Sequence, residues 1–104
     1  MFEMLEGGCL CGAVTYAVSG PPLDAGYCHC RLCQRSSGAP VLAWMTVQAA
    51  DFTYTRGTAA VFFSSAQSQR EFCGACGTQL AFRRRVDART VDVTLASLDT
   101  PTRV

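Results

Sequence analysis

Lysine is missing from this chain. All nine basic residues are arginines, set against eight acidic ones for a formal net charge of +1. That balance gives no bulk-charge case for nucleic acid or for a membrane surface. There is no apolar run of about eighteen residues or more, so no transmembrane span is expected. The N-terminus, Met1-Phe2-Glu3-Met4-Leu5-Glu6, is acidic and lacks a signal-peptide pattern, which makes the cytoplasm the default location. Repeats, linkers and long amphipathic helical patterns are also absent. A chain of 104 residues, 49% hydrophobic, suits a single domain over residues 1–104 with one modest core.

An even cysteine count is missing too. The seven cysteines fit a complete disulfide framework poorly. Their close C-x-C and C-x-x-C spacings favour metal ligation, which requires a reducing compartment. The densest stretch is Cys28-His29-Cys30-Arg31-Leu32-Cys33. In an extended segment Cys28 and Cys30 face one way and His29 the other. A turn after Cys30 brings Cys33 back to the same point. Three thiolates then converge with no fourth ligand supplied locally. Closed four-ligand zinc sites are structural and three-ligand sites with an open position are catalytic, so the stretch reads as a candidate open site, unless a cysteine elsewhere closes it.

The remaining cysteines form two pairs, Cys9/Cys11 and Cys73/Cys76, each running into a glycine, Gly12 and Gly77. Glycine accepts the left-handed backbone of a tight turn, so the pairs look like two metal knuckles. Joined, they make a four-thiolate structural site that would supplement a small core. The seven then divide as four plus three, although spacing alone admits other partitions.

Between these points the pattern is that of short strands. Gly7-Gly8 reads as a turn. Gly12 to Ser19 alternates, with Val14, Tyr16 and Val18 on one face. Gly20-Pro21-Pro22 ends it, and Leu23 to Tyr27 leads into the three-cysteine stretch. Arg31 to Ser37 suits a helical turn stopped by Gly38. Strands are expected over Val41–Val47, Asp51–Thr55 and Thr90–Leu95, with a turn at Arg56-Gly57 and another over Val86–Arg89. Val61-Phe62-Phe63 is a short apolar run, and Ser64 to Ser68 reads as loop. Gln69–Phe72 leads into the second knuckle and Thr78–Arg83 leaves it as a hairpin partner. Trp44 and the phenylalanines read as core. Arg83-Arg84-Arg85 reads as a solvated strand end. The fold class is mainly β, with little helix.

Taken together, Cys9-Leu10-Cys11-Gly12, Cys28-His29-Cys30-Arg31-Leu32-Cys33-Gln34-Arg35, Gly38-Ala39-Pro40 and Phe72-Cys73-Gly74-Ala75-Cys76-Gly77-Thr78-Gln79-Leu80 resemble the glutathione-dependent formaldehyde-activating enzyme family, which also includes centromere protein V. Ala96-Ser97-Leu98-Asp99 fits a later strand of that family. Its members run on beyond the position of Val104, so the domain reads as short at its C-terminus. The resemblance implies a zinc-stapled β-tent of short antiparallel strands. It implies a structural Zn2+ on Cys9, Cys11, Cys73 and Cys76, and a catalytic Zn2+ on Cys28, Cys30 and Cys33. It further implies a carbon–sulfur lyase activity that joins glutathione, as co-substrate, to formaldehyde, giving S-hydroxymethylglutathione.

The residue chemistry agrees with that implication. Three thiolates leave a zinc ion with a net charge of about −1, a weak Lewis acid that suits a soft sulfur as fourth ligand better than hydroxide. A small thiol bound there would have its pKa lowered beside an aldehyde carbon. Arg31 and Arg35 are candidate anchors for ligand carboxylates, and Gln34 a candidate hydrogen-bond donor. His29 is read as a packing or supporting residue rather than a ligand. The competing reading is a non-catalytic zinc module that binds a protein partner; a third is redox or metal buffering by exposed thiolates. An exchangeable fourth ligand separates the first two.

Overall fold

The computed structural model describes residues 3–104. Nine strands, β1 (Leu5–Gly8), β2 (Thr15–Val18), β3 (Asp24–Cys28), β4 (Leu42–Gln48), β5 (Phe52–Arg56), β6 (Ala60–Phe63), β7 (Ser68–Phe72), β8 (Gln79–Arg84) and β9 (Thr90–Thr94), accompany one short helix, α1 (Arg31–Ser37). Three single 3₁₀ turns cover Ala49–Asp51, Leu95–Ser97 and Pro101–Arg103. The strands form two antiparallel sheets, one in the order β1-β2-β5 and one in the order β3-β4-β9-β8-β7-β6. The mainly β fold of short antiparallel strands expected from the pattern is the one observed.

Alternation decides which side chains meet. Val14, Tyr16 and Val18 are all buried, as their spacing requires. On the larger sheet Met45 pairs with Val93 and Val47 with Val91, while Thr46 and Asp92, one residue out of phase, hydrogen-bond at 2.6 Å on the other side. Leu5, Tyr16, Val18 and Phe52 of the small sheet close on Met45, Val47, Ala81, Val91 and Val93 of the large one, so the core lies between the sheets. A polar link accompanies it. Glu71 on β7 accepts from Tyr54 of β5 at 2.7 Å and takes both forks of Arg83, at 2.7 and 2.9 Å. Burial pushes the Glu71 carboxyl up, but Arg83, Tyr54 and Gln69 together hold it below the ordinary carboxylate value.

Several expectations are corrected. Gly7-Gly8 is the end of β1, not a turn. A side chain at Gly7 would collide with the Tyr16 ring and the Ser97 carbonyl, so this glycine permits close packing. Leu23–Tyr27 is more than a lead-in, because Asp24–Cys28 is an edge strand paired along its whole length with β4. Ala96 to Asp99 forms the end of a 3₁₀ turn and a single bridge from Leu98 to Gly7 instead of a strand. Phe52 is core and Phe72, Phe82 and Trp44 are half-buried, whereas Phe62 and Phe63 on the edge strand β6 are exposed; Phe2 lies outside the described residues. The Arg83-Arg84-Arg85 run is not simply solvated. Arg83 pairs with Glu71, and Arg85 lies over the Phe63 ring at 3.8 Å. No helix among the described residues is long and apolar enough to cross a membrane.

Candidate metal centres

The first knuckle connects β1 to β2 and the second connects β7 to β8, so each sheet contributes one. Both turn through a glycine of positive φ, +80° at Gly12 and +83° at Gly77, a conformation that any Cβ would strain. This geometry aims backbone N–H groups at sulfur. Val14 donates to Cys9 Sγ at 3.3 Å and Cys76 to Cys73 Sγ at 3.4 Å. The Thr78 hydroxyl lies 3.3 Å from Cys76 Sγ and is the main reason that thiol is pulled down to about 5. The Sγ atoms of Cys9, Cys11, Cys73 and Cys76 all lie within 4.8 Å of one another, and the Cys9–Cys11 and Cys11–Cys73 separations are 3.7 Å. Four sulfurs placed tetrahedrally at the usual Zn–S bond length stand about 3.8 Å apart, so this donor set fits a closed four-thiolate ion.

The second cluster is built differently. β3 ends on Cys28, Cys30 is the N-cap of α1, and Cys33 sits in its first turn. The turn expected after Cys30 is therefore the start of a seven-residue helix, stopped by Gly38 at φ +74°. Cys30 Sγ accepts the Cys33 N–H at 3.4 Å, the chief cause of a thiol pulled down to about 7. The three sulfurs lie within 4.8 Å of one another, with Cys33 buried, Cys28 intermediate and Cys30 exposed. No fourth His, Cys, Asp or Glu among the described residues joins them. His29, just past the end of β3, is exposed and belongs to neither cluster. These cysteine groups can each hold a metal ion, and three soft donors with one exposed side fit a thiophilic ion with a free position.

One residue at this centre escaped the sequence reasoning. Arg70 on β7 is 7% exposed, and its Nη2 lies 3.7 Å from Cys33 Sγ. Its Nη1 donates to Ser36 Oγ at 3.2 Å and to Gln79 Oε1 at 2.9 Å, and the guanidinium lies 4.9 Å from the Phe82 ring centroid. The ion pairs among the described residues are Arg83–Glu71 and Arg103–Glu3, so Arg70 faces no carboxylate. The group it faces is the Cys33 thiol, which burial pushes up and Arg70 pulls down. The available signal was parity: Arg70 shares a strand face with Phe72, while Gln69 and Glu71 point the other way.

Helix α1 separates two recesses. On one side Arg31, Gln34, Arg35, Gly38 and Pro40 line a shallow polar hollow of ≈ 510 Å³. There Arg31 donates to Gln34 at 3.1 Å and Gln34 donates to the Pro40 carbonyl at 2.9 Å, which fixes the Gln34 amide. On the other side Leu32, Phe62 and Phe72, with Arg35, Arg70 and Gln79, line a cleft of ≈ 540 Å³. Of the three residues proposed as ligand contacts, only Arg35 borders both recesses.

The fold and the cysteines define a small β protein that brings together one four-sulfur and one three-sulfur cluster. A sequence model of the family described as "Glutathione-dependent formaldehyde-activating enzyme" matches residues 4–104, and the chain belongs to that family. A curated Halomonas elongata protein named "Putative glutathione-dependent formaldehyde-activating enzyme" is 29% identical over 85 residues, which cover 74% of this chain and 54% of that protein. The chain thus spans about half the length of that relative. Among solved structures, a structural-genomics crystal structure of a Rhodobacter sphaeroides protein aligns over 90% of this chain and 87% of its own, with a TM-score of 0.73 at 27% identity.

Proposed function

We propose that this protein is a zinc-dependent enzyme of the carbon–sulfur lyase type that forms or cleaves thiol–aldehyde adducts such as S-hydroxymethylglutathione. The supporting observation is the contrast in ligand number: three convergent sulfurs, one of them exposed, beside four that close on themselves. In this reading Cys9, Cys11, Cys73 and Cys76 hold a structural ion, and Cys28, Cys30 and Cys33 hold the reactive one. A zinc ion held by Cys28, Cys30 and Cys33 would acidify and position a substrate sulfur. The chain does the rest. Arg70 balances the charge of the three thiolates from the buried side. Arg31 and Arg35 offer guanidinium groups to the carboxylates of a glutathione-like thiol on the polar side of α1. Addition moves the thiol proton to the aldehyde oxygen as the C–S bond forms, and cleavage reverses it. The thiolates require a reducing setting, consistent with the cytoplasm.

Calorimetric titration of the zinc-loaded protein with glutathione tests this, beside an assay of adduct formation above the spontaneous rate. Binding through sulfur is expected, and Cys30→Ser should lose both binding and adduct formation while keeping the other ion. No thiol binding at millimolar concentration to a fully loaded second cluster would instead favour a non-catalytic zinc module.

A further inference from the structure

Formaldehyde adds a single carbon to a thiol, yet the cleft beside the three-cysteine cluster measures ≈ 540 Å³. No cysteine lines it; it borders the cluster through Arg70 and Ser36. Arg70 lines the cleft and touches Cys33, and Ser36 lines it and donates to the Cys33 carbonyl at 3.0 Å. The cleft walls are apolar. Leu32 and Phe62 are 60% and 62% exposed and face the same space as Phe72. Partly exposed apolar side chains gathered in one recess are a ligand-binding signature when polar groups converge beside them. Here those groups are Arg70, Gln79 and Ser36, at the end nearest the sulfurs.

The two sides of α1 therefore differ in chemistry. Helical spacing places Leu32, Arg35 and Ser36 on one face and Arg31, Gln34 and Gly38 on another. The polar hollow suits the charged backbone of a peptide-like thiol. The cleft is mostly apolar, with Arg35 on the helix side and Arg70 beside Cys33 as its charged lining groups.

Resting on the adduct reading above, we infer that the cleft binds the hydrocarbon arm of the carbonyl partner, so that the aldehyde taken is an alkyl or aryl aldehyde of several carbons. The step balances without a further reagent. The thiol sulfur bonds to the carbonyl carbon, the C=O π pair moves to oxygen, and the thiol proton ends on that oxygen, giving a hemithioacetal. Neither carbon nor sulfur changes hands with an oxidant.

The test uses unreactive thioethers, so that it reads the cleft whether or not turnover occurs. S-hexylglutathione and S-methylglutathione are titrated into the zinc-loaded protein and into Phe62→Ser and Leu32→Ser, both substitutions of exposed side chains. Burying the added methylenes should make the hexyl compound bind the parent at least about tenfold tighter. The preference should shrink to within about twofold in Phe62→Ser and fall partway in Leu32→Ser. Equal binding of the two thioethers by the parent, or a preference untouched by both substitutions, overturns the cleft assignment. Hexanal and formaldehyde are then compared as substrates with glutathione. Faster adduct formation with hexanal supports the inference, and turnover confined to formaldehyde overturns it. A hexyl preference without turnover of either aldehyde upholds the binding site and rejects the adduct reading instead.

Discussion

The two cysteine clusters use similar short spacings and the same atom, yet their surroundings differ at every level. The four-cysteine cluster draws one knuckle from each sheet, with partners in different knuckles at least 62 residues apart in sequence. Backbone N–H groups and the Thr78 hydroxyl point at its sulfurs, and no guanidinium does. The three-cysteine cluster is confined to one strand end and one helix start, with an exposed thiol on one side and buried Arg70 on the other. The first arrangement closes a structure. The second, with three sulfurs, would leave a coordination position free on a bound ion, with Arg70 beside Cys33. In the proposed reading, ligand count and burial of the partner group, not the C-x-x-C spacing that both share, would separate a staple from a reactive centre.

The largest effect expected is on the staple. Cys76→Ser should remove one metal equivalent and destabilise the fold by several kcal/mol, since structural zinc in small domains is worth on the order of 10 kcal/mol and the inter-sheet core recovers part of it. Metal analysis with thermal melting checks this. A variant that melts like the parent with its metal intact would erase the distinction drawn between the clusters.

A smaller effect is expected at the open cluster. Arg70→Gln keeps a donor for Ser36 and Gln79 but removes the buried charge facing Cys33. Zinc or cobalt affinity of the three-cysteine cluster, measured against a chelator, should fall about tenfold, equal to about 1.4 kcal/mol. The four-cysteine cluster should be unaffected. Arg70→Lys should restore part of the loss. Weakening of both clusters together would mean that Arg70 acts on the fold as a whole.

The smallest effect separates both clusters from the polar link between the sheets. Glu71 is held below the ordinary carboxylate value, so its contribution is present above that value of 4.5 and is lost as pH falls through the lower folded-state value. Glu71→Gln should cost about 1 kcal/mol or less at neutral pH, because the amide still accepts from Tyr54 and Arg83 is partly exposed. The gap from the parent should narrow under acid. Denaturant titrations at pH 7 and pH 3 test it, and a gap independent of pH would assign the loss to packing.

Much of this organisation was legible in the chain itself. The knuckles announced themselves because Gly12 and Gly77 are required by the backbone, and the inward positions Val14, Tyr16 and Val18 because one face of their sheet is buried. Cys28, Cys30 and Cys33 converge as their spacing demands. Edge strand β3 was illegible for the opposite reason: Asp24 to Tyr27 are all exposed, so no alternation marks them. Arg70 was hidden because a buried arginine looks like any other until the strand places its partner. The exposure of Phe62 and Phe63 follows from β6 lying at the sheet edge, a property of topology that a run of apolar letters does not carry.

The separation along the chain also sets an order of events. Gathering Cys28, Cys30 and Cys33 closes a loop of a few residues, whereas joining Cys11 to Cys73 spans 62. Closure entropy rises with loop length, and non-local pairing between sheets is slow compared with starting a short helix. A chain emerging into a metal-containing solution thus presents its three-sulfur set well before the four-sulfur set exists. In the proposed reading, the cluster with fewer ligands would be the one able to capture an ion earlier, and an ion joining the sheets would be acquired only when they have already met.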